Sequence, residues 1–235
     1  MIETFITVHN QDIILNNEEC KKYKHLNKYR YLFVGSGDIS LLKDLDNVVV
    51  GRDLDKNIEE LTYFCDFTSW FFLIKNNLIN TKFVSLIQYD TDISEDFEEA
   101  TLDRLSSNED VIFGYVPYLI DSFDFLGNKI ITTPLYDSLK NTYDINVINL
   151  IETYRDKNIE DTLWPSSNNV AMSNKNLKDL INWCEPVMFD MGNQKYAGHA
   201  MERSIKIFSI IHNIKNDYIL EKLKHHQLYS LNKQK

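Results

Sequence analysis

The chain predicts an α/β fold built on a mainly parallel, doubly wound sheet, and three observations lead there. Short β-branched runs alternate with segments of helical periodicity, and the apolar runs end abruptly in polar residues. With 7 glycines and 4 prolines among 235 residues, no stretch reads as a linker, so a single domain over 1–235 is expected.

The strands come first. TFITVH (4–9) is β-branched and bounded by polar residues, YRYLFVG (29–35) is similar, and NVVVG (47–51) is a short apolar run. Residues 55–77 then carry apolar side chains at 58, 61, 64/65, 68 and 71/72, gaps of three and four that predict a helix. KFVSLIQY (82–89) is the strongest strand and VIFGYVPYL (111–119) another. Helical periodicity returns around 136–155, 174–184 and 201–214.

Composition narrows the classes of function. A chain that is 43% hydrophobic and 26% charged is ordinary for a soluble globular protein. Its formal net charge of -10 argues against a general nucleic-acid binder, which needs clustered Lys and Arg, yet a local site can still hold an anion. Cys20, Cys65 and Cys184 lie far apart and read as free thiols of a reducing compartment. The start MIETFITVHN lacks a secretory pattern, and WFFLIKNNLI is interrupted by Lys75, so a cytoplasmic location is expected.

Three D-x-D triplets compete for a metal. Asp44 and Asp46 lie among polar residues, and Asp53 and Asp55 precede the helical segment, where Asp55 suits an N-cap. Only Asp90 and Asp92, in LIQYDTD, close a long apolar strand directly, where a carboxylate is costly unless a cation or donors offset its lost hydration. Hard oxygen ligands at such a place suit Mg²⁺ or Mn²⁺ together with a substrate's phosphates.

A second polar group lies in GHAMERSIKIFSIIHN (198–213). At about 100° per residue, Met201, Ile205, Phe208 and Ile211 form an apolar stripe, with His199, Glu202 and Arg203 opposite. That opposite side is either a solvated face or the lining of a cleft, in which His199 offers a metal-ligating nitrogen and Glu202 a carboxylate base. Gly198 would let the backbone approach closely there. His9 and Asn10 close the first strand, Arg52 follows the third, and Trp164 in the WPSSNN loop either stacks on a sugar or anchors the loop. VGSG (34–37) is no dinucleotide fingerprint, and neither a G-x-S-x-G nor a Walker-type loop occurs.

Taken together, VHN at the first strand end, KNIEELTYFCDFTSWFFLIKN, LIQYDTD, NNVAMS and GHAMERSIKIF resemble GT-A-type glycosyltransferases. The resemblance is to small domains of bacterial polysaccharide clusters and of phage or large-virus genomes, and it runs along nearly the whole chain. It implies a GT-A-like, Rossmann-type mixed but mainly parallel sheet flanked by helices. It also implies a sugar moved from a UDP- or GDP-sugar donor to a glycan or other hydroxyl acceptor, with Mn²⁺ or Mg²⁺ on the diphosphate. By position, the resemblance assigns Asp90 and Asp92 to the metal, with His199 as a further ligand. His9, Asn10, Arg52, Tyr89 and Asp90 fall to the nucleotide-sugar, and Glu202 to the base that deprotonates the acceptor.

Two rival readings stand beside this one. A sugar nucleotidyltransferase shares metal and fold but usually has a Gly-rich, basic N-terminal loop; a non-catalytic carbohydrate-binding or scaffold module needs no metal. The basic tail of about 221–235, EKLKHHQLYSLNKQK, offers peripheral contact with anionic lipid, or is solvated or paired with the acidic body.

Overall fold

The computed structural model describes residues 1–9, 11, 29–35, 39–40, 42, 45–58, 60–119, 129–155 and 157–225. Seven of its strands form one sheet. In chain order they are β1 (Ile2–Val8), β2 (Arg30–Phe33), β3 (Val48–Val50), β4 (Phe83–Gln88), β6 (Ile112–Gly114), β9 (Val170–Ser173) and β10 (Asn216–Tyr218). Across the sheet the order is β10-β6-β9-β4-β1-β2-β3, and only β9 runs antiparallel to its neighbours. This is the mixed, mainly parallel sheet expected.

Its central strands are mostly apolar because both faces are covered. Alternation sends Phe5, Leu32, Val84, Leu86, Ile112 and Met172 into one core and Ile6, Tyr31, Phe33, Ile87, Phe113 and Ala171 into the other. The first core is closed by α1 (Asp66–Lys75), α3 (Lys129–Tyr143), α4 (Val147–Arg155), α6 (Asn174–Met191) and α7 (Ala197–Ile211). The second is closed by α2 (Phe97–Ser107), through Phe97 and Leu105. A one-turn α5 (Ile159–Thr162) follows α4. Ser173 caps α6 by accepting a hydrogen bond from the Asn176 amide at 3.2 Å.

Four expectations need correction. The helix read from residue 58 begins only at Asp66, because Cys65 adopts φ 52°, ψ -112° and breaks the run after a 3-10 turn at Thr62–Phe64. Asp55 therefore caps no helix. The strand read over 111–119 is two strands: after Gly114 the chain leaves the main sheet, and β7 (Pro117–Leu119) pairs antiparallel with β8 (Leu163–Pro165). A Cβ at Gly114 would lie 2.7 Å from Pro165, and Pro117 lacks an N–H for a ladder, so the run cannot continue straight. The supposed WPSSNN loop accordingly begins in a strand. The start of the basic tail forms β11 (Leu223–His225), paired with β5 (Thr91–Ile93), so Asp92 lies opposite Lys224; residues 226–235 lie outside the described residues.

Gly51, just after β3, has a packing reason: a Cβ there would sit 1.8 Å from the Phe72 ring of α1. Among the described residues Cys65 and Cys184 are free thiols, and no helix is long and apolar enough to cross a membrane.

Candidate functional site

The strand order changes direction at β1 and β4, and the crevice beyond their carboxyl ends is where such sheets receive ligands. Several segments deliver polar side chains to this edge. They are the ends of β1, β3 and β4, the start of α1, the 166–169 segment before β9, and the start of α7.

Asp66 lies at the centre of the described cluster, and the sequence reading missed it. Its residue is 5% exposed, and its Oδ2 accepts hydrogen bonds from Gln88 Nε2 at 2.8 Å and Asn168 Nδ2 at 3.0 Å. Burial pushes its carboxyl up to about 6, against the lowering effect of those two amides, and the charge of Glu202 adds to the rise. The neighbouring Asn169 accepts from the Gln88 backbone amide through Oδ1 at 2.8 Å. The two asparagines thus pin the end of β4 to the start of α1. Ser167 and Asn168 hold left-handed φ values of 62° and 53°, a conformation that asparagine tolerates better than most residues. Among the described residues Asn168 Oδ1 is buried and has no hydrogen-bond partner.

Glu202 and His199 come to the same edge from α7. The His199 Nδ1 to Glu202 Oε1 distance is 3.8 Å; the Glu202 side chain is 15% exposed and that of His199 65%, so Glu202 is largely buried while His199 stands in solvent. The Glu202 carboxylate raises the His199 imidazole pKa, against the opposing effects of desolvation and the Arg203 charge. Burial, then the charge of Glu202, raises the Tyr118 phenol. Burial, then Asp66, then Glu202 push the Cys65 thiol up to about 11. Glu202 and Asp66 are therefore close enough to sense one another. Gly198 lets α7 reach this place, since a Cβ there would lie 3.0 Å from the Tyr63 carbonyl oxygen and 3.1 Å from that of Phe64.

The remaining expected residues divide. His9 and Tyr89 meet edge to face, with ring centroids 5.0 Å apart at 70°, at the ends of β1 and β4. Arg52 is half-buried in the 3-10 turn Gly51–Asp53, two strands away from β1. Asn10 lies outside the described residues. Arg203 is 6% exposed; its Nη1 donates to the His199 carbonyl and its guanidinium lies 5.3 Å from the Trp164 ring centroid. Trp164 is itself buried and donates Nε1–H to the Leu119 carbonyl at 3.1 Å, so it anchors its segment.

Asp90 and Asp92 are both half-buried, with Asp90 in the turn that follows β4 and Asp92 in β5. Alternation puts the buried Thr91 on one face of β5 and Asp92 on the other. Two half-buried carboxylates with no thiol beside them suit a hard divalent cation that takes its other ligands from phosphate and water. Among the described residues no group of three or more His, Cys, Asp and Glu side chains is disposed to hold a metal ion, so His199 does not join Asp90 and Asp92.

Chemically, this edge offers carboxylates for proton transfer, an imidazole, an unpartnered carbonyl acceptor and an aromatic pair. Asp66 and Asn168 were missed for want of a distinctive spacing. The available signal was an acid set between Phe64 and Phe67 in an otherwise apolar block.

No family model and no curated protein matches the sequence. Among solved structures, the chain is similar to "WbbM bifunctional glycosytransferase apo structure", with a TM-score of 0.62 and 13% sequence identity. The match covers 94% of this chain and 45% of that one, so this chain spans under half the length of the structure it matches. At that identity the likeness concerns the fold: nearly the whole chain adopts an architecture found in a glycosyltransferase.

Proposed function

We propose that the protein is a metal-dependent glycosyltransferase that moves a sugar from a nucleotide-diphosphate donor to a hydroxyl of a glycan or other acceptor. The observation that carries this reading is the group Asp66, Glu202 and Asn168, set at the switch point of a sheet that a glycosyltransferase shares. A buried carboxylate costs stability, and that cost is intelligible where the group serves a ligand in the crevice.

In this reading the His9–Tyr89 pair offers an aromatic surface to the nucleotide, and Arg52, at the end of β3, opposes negative charge on the donor. Asp90 and Asp92 hold the divalent cation, Mn²⁺ or Mg²⁺, whose chemistry there is Lewis-acid stabilisation of the leaving diphosphate. Asn168 holds the Asp66 carboxyl group in place. Glu202 takes the proton from the acceptor hydroxyl as the oxygen bonds to the anomeric carbon. The electron pair of the broken carbon–oxygen bond departs with the nucleoside diphosphate. His199 assists as the partner of Glu202 rather than as a metal ligand.

Thermal shift with UDP- and GDP-sugars, with and without Mn²⁺, tests the proposal. Donor at about a hundred times its Kd, with metal present, raises Tm by roughly 5–10 °C for a chain of this size. Asp90→Ala and Asp92→Ala abolish the metal-dependent part, and Glu202→Gln keeps donor binding but loses transfer. Full turnover by both aspartate variants would remove the metal, and stabilisation by free glycans alone would favour a binding module.

A further inference from the structure

A second concave feature lies around the other end of α7 and shares no residue with the site above. It is a cavity of about 410 Å³ whose lining includes Lys157 and Asp161 from the α4–α5 region, Lys206 and Ser209 from α7, and Lys215 and Asn216 at the start of β10. Glu202 and Ser209 are separated along α7 by about 10 Å of helix rise.

Three lysines converge here in a chain of formal net charge -10. Lys206 is 5% exposed, and among the described residues its ammonium makes one hydrogen bond, to the Asp161 backbone carbonyl at 2.7 Å. An ammonium has three donors, so the pairing is incomplete for a buried charge. Lys157 and Lys206 also share one aromatic face, with Nζ atoms 3.7 Å and 5.8 Å from the Tyr154 ring centroid. Burial depresses the Lys206 pKa to about 8; the Asp161 charge opposes this, and the Lys157 charge adds to it. Three ammonium groups against the single Asp161 carboxylate leave the lining net positive, and a bound anion offsets their repulsion.

Asn216 donates Nδ2–H to Ser209 Oγ at 2.9 Å, and these two polar side chains complete the lining beside the lysines.

We propose that this cavity is a second binding site, for a phosphate ester. Lys157 and Lys206 hold the phosphoryl oxygens, and Lys215 adds charge at the rim. The same chemistry occurs in a free polyol phosphate and in a phospholipid headgroup.

Glycerol phosphate and phosphatidylcholine vesicles doped with phosphatidylglycerol separate these two sources, because they present one headgroup in soluble and membrane-bound form. The full chain is titrated with each by calorimetry or co-sedimentation, and Lys206 acetylation is followed by peptide mass spectrometry. Saturable binding that slows Lys206 acetylation is expected with at least one probe, and it weakens with added salt. Lys157→Gln, on an exposed residue, weakens binding about tenfold, in line with the loss of one charged hydrogen bond. Lys206→Met does the same, provided its Tm confirms folding. Absence of saturable binding by both probes, or Lys157→Gln binding like the parent, overturns the proposal. Neither result bears on donor binding at the β1–β4 edge.

Discussion

Asp66→Asn is expected to stabilise the fold at neutral pH, and by an amount that depends on pH. In the native protein burial holds the carboxyl at about 6, against an ordinary value of 3.8. The native state therefore holds this proton more tightly than the unfolded chain does. Stability from the group is complete below about pH 4, declines as pH rises toward 6, and is gone above it. A separation of about two pKa units corresponds to roughly 3 kcal/mol at 1.36 kcal/mol per unit. That is an upper figure, because Asp66 opens α1, and a helix N-terminus favours its charged form.

Asparagine keeps the hydrogen bonds, since its carbonyl oxygen can accept from Gln88 and Asn168 as Oδ2 does now. The assay is urea unfolding of both proteins from pH 4 to 7. Groups remote from residue 66 contribute about equally to the two curves, so their difference isolates residue 66 together with its coupling to Glu202. The gap in unfolding free energy should widen by up to about 3 kcal/mol in favour of the variant, mostly between pH 4 and 6. At neutral pH that equals roughly 6–12 °C in Tm. A gap that stays flat across this range would refute the argument that burial raises the Asp66 pKa.

Two further outcomes follow from the same packing. Gly51→Ala drives a methyl group into the Phe72 ring and should cost about 1–3 kcal/mol in thermal or chemical unfolding. Adding Phe72→Leu should return part of the loss, whereas a neutral Gly51→Ala would show that β3 and α1 are packed less closely. The Cys65 thiol, pushed up to about 11, should alkylate at pH 8 about a hundredfold more slowly than an ordinary thiol. Site-resolved mass spectrometry checks this, and Glu202→Gln should speed the reaction by removing one of the charges responsible.

Periodicity carried most of the sheet. KFVSLIQY, TFITVH and YRYLFVG announce strands because they are covered on both faces, and that coverage writes continuous apolar runs into the sequence. Breaks were harder to see. Cys65 interrupts an apolar pattern that reads smoothly from 58 to 72, since the side chains at 58, 61 and 64 are apolar inside or outside a helix. Gly114 separates two strands for a reason that lies in Pro165 and Tyr218, both remote in sequence.

The candidate site follows the same division. His9, Tyr89 and Asp90 were legible because they stand at strand ends, and Glu202 because it faces away from an apolar stripe. Asp66 and Asn168 were not, because a carboxylate becomes unusual only when distant segments remove its water, and an amide becomes telling only when its partners are counted. The sequence by itself determined the alternation of strands and helices and the acids that close its strongest strand. Tertiary structure alone decided which acid is buried, which arginine is spent on a tryptophan, and which lysines face one another across a cavity. Burial and through-space charge depend on residues 20 to 140 positions apart, and such separations leave no local pattern.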